Sequence, residues 1–96
     1  MITTAAPEHY IDAVADYFDG LIPEASDDQL FAAGYLRGHF DLAVGNLEVI
    51  AEPFDKTQLC NWVEKSLQHA ITAGELDSHD QLHVKQLWQQ VQAIAA

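Results

Sequence analysis

From Ser26 to Pro53 the chain places apolar residues three or four positions apart, a spacing that an α-helix gathers onto one side. Ala32, Leu36, Phe40, Ala43, Leu47 and Ile50 make the main stripe of that helix. Ser26 followed by Gln29 reads as a capping box: the serine hydroxyl accepts the N3 amide proton and the glutamine side chain reaches back to the cap. Pro53 forbids continuation. This helix spans about 27–51, and at roughly 1.5 Å per residue it overhangs any shorter neighbour unless Gly45-Asn46 bends or breaks it.

The same signals recur on either side. After Pro7, the residues Tyr10, Ile11, Val14, Ala15, Phe18, Leu21 and Ile22 follow helical spacing, with Gly20 and Pro23 expected to end the first helix. Asp55 with Gln58 is a second capping box, and Phe54 before it is positioned to staple onto Leu59. The third helix turns Leu59, Trp62, Val63, Ser66, Leu67, Ala70 and Ile71 inward, with Gly74 as its left-handed terminus. Ser78 with Gln81 reads as a third box. It opens a fourth helix carrying Val84, Leu87, Trp88, Val91, Ile94 and Ala95 to the end of the chain. No stretch alternates with period two, so no strand is expected. Short connections between four helices predict an all-α, up-and-down antiparallel four-helix bundle. It forms one domain over 1–96, with 1–6 expected to be mobile.

Helix two has a second apolar side, made of Phe31, Gly34, Gly38, Leu42, Gly45 and Val49. Two apolar sides predict a central helix with neighbours on both. Gly34 and Gly38 lie one turn apart and strip side chains from one patch of backbone, so a helix or a ligand can approach closely there. The small-xxx-small membrane motif does not apply, because Arg37, His39 and Asp41 interrupt the run. Arg37, the only arginine, stands at the edge of this side with Asp41 one turn on. It has two readings: an ion pair with Asp41 or with an acid of helix one that fixes helix register, or a guanidinium offered to an anion. Tyr35 and His39 occupy a third side, expected to pack at an interface edge.

The runs ASDDQLFAAGYLRGHFDLAVGNLE and KSLQHAITAGELDSHDQLHVKQLW resemble the YfcL family of small bacterial proteins, and together they cover a little over half of the chain. The resemblance implies a helical protein of bacterial cytoplasmic origin. It brings no assigned activity, cofactor or catalytic residue.

Composition narrows the partners. Fifteen acids against four bases give a formal charge of -11. The resulting field repels phosphate backbones and anionic lipid, so neither nucleic acid nor membrane is expected as a partner. Asp12, Asp16 and Asp19 line one side of helix one in a region without any Lys or Arg. That side is either a solvated face or a docking site for a basic surface. A lone cysteine, Cys60, and the absence of a leader pattern lead us to expect a reducing, cytoplasmic setting.

The residues that carry chemistry are few. His79 and His83 lie one turn apart, as a shared zinc or nickel ion requires, but Asp80 replaces the glutamate of the zinc-protease motif and no third ligand is predictable. They are weak metal candidates. Cys60 lacks a motif that would bring it a base, and it reads as a small apolar residue. The glycines sit within a helix rather than between a strand and a helix, so they form no phosphate loop. Trp62 and Trp88 read as core. The expectation is a non-enzymatic, cofactor-free protein-interaction module whose partner is another protein, with a homodimer as a further option. Its candidate surfaces are the acidic side of helix one and the region of Gly34, Tyr35, Arg37, Gly38, His39 and Asp41. The alternative is an anionic-ligand or metal-binding protein using Arg37, Gly34 and Gly38, or His79 and His83.

Overall fold

The structure, a computed structural model, describes residues 7–50 and 52–95, so the segment 1–6 expected to be mobile lies outside it. Four α-helices follow one another: α1 Glu8–Leu21, α2 Asp27–Ile50, α3 Lys56–Thr72 and α4 Ser78–Ala93. A 3₁₀ turn, Ile22–Glu24, joins α1 to α2, and the described residues contain no strand.

Local chemistry sets most boundaries where the sequence places them. The Ser26 amide donates to Gln29 Oε1 (2.9 Å) and the Gln29 amide donates to Ser26 Oγ (3.2 Å), closing the first box. Asp55 and Gln58 close the second at 3.0 and 2.9 Å. At the end of α3 the Glu75 amide donates to Ala70 O and the Gly74 amide to Ile71 O. This Schellman arrangement needs the left-handed Gly74, whose φ is +80°.

Three boundaries differ. α4, expected to run to the end of the chain, stops at Ala93 where Ile94 becomes extended, so Ala95 lies beyond the helix and is exposed. Gly20 stays inside α1, which winds down through the turn around Pro23 and stops where Ala25 becomes extended, so Ile22 points into solvent rather than inward. The cap of α4 is Asp77, not Ser78, with its carboxylate accepting the Asp80 amide (2.8 Å) while Gln81 Nε2 donates to Leu76 O. Asp and Ser are nearly equivalent caps, and placing the helix start one residue earlier lets the buried Leu76 seal the turn.

Contacts between helix ends give the directions. Tyr10 near the start of α1 reaches Val91 near the end of α4, and Lys56 at the start of α3 reaches Ile94 just beyond it. Asp28 and His79, by contrast, bring the starts of α2 and α4 together. α1 and α3 therefore run against α2 and α4, as in an up-and-down bundle. α2 touches all three other helices, most extensively α4 and then α3. Its buried side chains include Ala32, Ala33 and Ala43, small enough to let α4 come close, with Leu36 and Phe40 filling the space between. The core is completed by Tyr10, Val14 and Phe18 of α1, Leu59, Val63 and Leu67 of α3, and Val84, Leu87, Trp88 and Val91 of α4. α2 runs unbroken through Gly45-Asn46, and its last turn overhangs instead: Ile50, expected in the core stripe, is exposed together with Val49.

Candidate functional site

The second side of α2 is where the structure departs most from expectation. Phe31, Leu42 and Val49 are 49, 56 and 85 % exposed, and Gly34, Gly38 and Gly45 are exposed between them. Apart from the adjoining backbone of α2, nothing among the described residues lies within 4 Å of where a Cβ on any of these glycines would sit. α2 is central because three helices share its other side, and none of the described helices covers this one. The result is a shallow groove of about 310 Å³ over Gly34 and Gly38, edged by Tyr35, His39 and Leu42.

Arg37 turns away from the groove towards α1. Its Nη1 meets Asp19 Oδ1 at 3.0 Å, and its guanidinium lies 5.8 Å from the centre of the Phe18 ring. The partner is the helix-one acid and not Asp41, which stays exposed. With the two side chains 37 and 65 % exposed, the pair contributes on the order of 0–1 kcal/mol. Asp12 and Asp16 are exposed beside it, so the acidic side of α1 is solvated with Asp19 alone engaged by a base.

Tyr35 and His39 lead from the groove to a second concavity, between α2 and α3. Phe31, Tyr35 and His39 form an aromatic row along α2, with ring centroids 6.1 and 4.8 Å apart. Tyr35 Oη donates to Glu75 Oε1 (2.7 Å), and partial burial together with that carboxylate pushes its phenol up to about 12. His39 Nδ1 shares a 2.6 Å hydrogen bond with Ser66 Oγ. Behind this bond lies a pocket of about 430 Å³ lined by His39, Trp62, Lys65, Ser66, His69 and Glu75. Trp62, expected in the core, is only half-buried and walls this pocket, whereas Trp88 is buried and donates to Glu64 Oε1 (2.8 Å). Sequence reasoning missed the pocket. The available signal was Ser66, a hydroxyl in an otherwise apolar stripe.

Burial lowers the His39 pKa, and the charge of Glu75 offsets this only in part. A histidine depressed in the folded state contributes stability that is present above its unfolded value, about 6.5, and is lost as pH falls through the folded value. Tyr35, Lys65, His69 and Glu75 are the other ionisable groups facing it. Ring-proton NMR is expected to show His39 titrating below the ordinary histidine value. The His39→Gln variant should lose less stability than the parent between pH 7 and pH 5, and an ordinary or raised midpoint for His39 would contradict the burial argument.

Beyond Glu75, at the starts of α2 and α4, His79 Nε2 meets Asp28 Oδ2 at 3.0 Å, and the rings of His79 and His83 lie edge to face with centroids 4.7 Å apart. The hydrogen bond raises the pKa of His79 and lowers that of Asp28. Asp28 is the neighbour that linear spacing could not supply. Cys60 is half-buried, 3.6 Å from Tyr10 Oη.

These features define a small all-helical bundle with one uncovered apolar helix side. No helix among the described residues is long and apolar enough to cross a membrane. The model of the family described as "YfcL protein" matches residues 8–93, and the chain belongs to that family. It is 45 % identical over 71 residues to "Uncharacterized protein YfcL" of Escherichia coli (strain K12), an alignment covering 74 % of this chain and 76 % of that protein. No solved structure gives a significant match.

Proposed function

We propose that the protein is a non-enzymatic, cytoplasmic interaction module that binds an amphipathic, basic helix of another protein along the uncovered side of α2. The observation behind this reading is the apolar strip from Phe31 to Val49, exposed on a rigid 24-residue helix and deepened by three glycines. Exposed apolar surface of this extent is uncommon on monomers and characterises helix-in-groove recognition. The preference for a basic partner comes from charge. On the helical wheel Asp27 heads the strip and Asp41 and Glu48 flank it, and a second copy of a chain of charge -11 would meet it with like charge.

The test is affinity capture at low and high salt with three baits: wild type, Leu42→Asp, and the triple variant Asp12→Asn/Asp16→Asn/Asp19→Asn, each first shown to melt like wild type. A basic partner lost by Leu42→Asp, retained by the triple variant and weakened by salt is the expected result. Loss with the triple variant alone would move the interface to α1. Self-association that Leu42→Asp abolishes would make the partner a second copy.

A further inference from the structure

The three side chains that meet at the starts of α2 and α4 form a ligand set. Asp28, His79 and His83 each offer one donor atom, and the three donors lie within 4.8 Å of one another. We propose that they bind a divalent transition-metal ion of the zinc type, which ties the first turn of α2 to the first turn of α4. Two imidazole nitrogens and one carboxylate oxygen suit a borderline cation, whereas calcium and magnesium favour oxygen-only sets.

Geometry supports the assignment. Ligands about 2.0–2.1 Å from a tetrahedral ion stand roughly 3.3 Å apart. The His79–Asp28 pair is already at 3.0 Å. Closing the remaining separation takes only side-chain rotation, because His79 and His83 project from adjacent turns of one rigid helix and Asp28 is exposed. A histidine pair one turn apart occurs on many surfaces. A carboxylate delivered to it from another helix, 51 residues earlier in the chain, sets this cluster apart. Asp77 and Asp80 stand beside His79 in the sequence and add negative potential, within a chain whose overall charge attracts cations. His83 also borders an open cleft of about 400 Å³ with Gln29, Gln86 and Tyr17, so solvent reaches the site and the fourth coordination position is free for water. On the wheel of α2 Asp28 borders the start of the strip, one turn before Phe31, so Leu42, farther along the helix, is the position that separates partner binding from ion binding.

Calorimetric titration of the chelator-treated full chain with zinc, paired with thermal melting, tests the proposal. Wild type should bind one equivalent with micromolar affinity, and zinc at about a hundred times the dissociation constant should raise the Tm by on the order of 10 °C. Asp28→Ala should weaken binding at least about tenfold and remove about half or more of the Tm shift at the same zinc concentration, and His79→Ala or His83→Ala should abolish both. Three results would overturn the proposal: no saturable binding by wild type, undiminished binding by Asp28→Ala, which leaves only a surface histidine pair, or binding that survives in both His79→Ala and His83→Ala.

Discussion

Replacing Gly34, Gly38 and Gly45 together by alanine is expected to stabilise the protein by about 1.5–3 kcal/mol, which for a domain of this size raises the Tm by roughly 10 °C. Each glycine sits inside α2 with helical backbone, so each exchange gains about 0.5–1 kcal/mol from lost freedom in the unfolded chain. No steric cost offsets this, since nothing lies within 4 Å of the added methyl groups. Gly74, equally open but held at φ +80°, should respond in the opposite sense. Thermal or urea unfolding checks both. A destabilised triple variant would show that another chain covers this side of α2 in solution, because methyl groups would then intrude on a packed interface. On the proposed function the same variant binds its partner less well, and the gain in stability coincides with a loss of the groove.

Tyr10→Ala is expected to destabilise by about 4 kcal/mol, and Tyr10→Phe by only about 1 kcal/mol. Tyr10 is fully buried, packs edge-on against Phe40 with centroids 6.1 Å apart, and lies beneath Lys56 Nζ at 4.9 Å. Its hydroxyl donates to Val91 O at 2.7 Å, and burial holds the phenol protonated across the ordinary pH range. Removing the ring leaves a cavity among four helices, whereas removing the hydroxyl costs a weak hydrogen bond shared with Cys60 Sγ and one to a carbonyl that the Ile94 amide also approaches. A domain of this length has a total stability of about 5–14 kcal/mol, so the alanine variant loses between about a third and most of it. Denaturant midpoints separate the two, and similar losses would show that the hydrogen bond, not the packing, dominates at this site.

The elements legible in the sequence were those whose determinants are local. Ser26 with Gln29, Asp55 with Gln58 and the left-handed Gly74 each act within a few residues, and each stands where spacing puts it. Where two local solutions were equivalent, as at Asp77 and Ser78, packing of Leu76 decided between them. The candidate site was legible only as a pattern. Two apolar sides on α2 are plain in the sequence, but whether a neighbour covers the second depends on how three helices share the first. Ala32, Ala33 and Ala43 let them crowd onto that side. Arg37 reached Asp19 rather than Asp41, and Asp28 joined His79, through contacts between helices that no linear spacing encodes. The same holds for the pocket beside His39, which is created by the gap between α2 and α3.

The bond from Tyr10 to Val91 spans 81 residues of sequence. Closing so long a loop costs several times the thermal energy in chain entropy before any contact compensates, whereas α2 and α3 meet across a connection of a few residues. α1 meets α2 across the short Ile22–Glu24 turn at little such cost, so the contact with α4, rather than α1 as a whole, is the one expected to close late, and changes there are expected to register chiefly in how fast the native state opens.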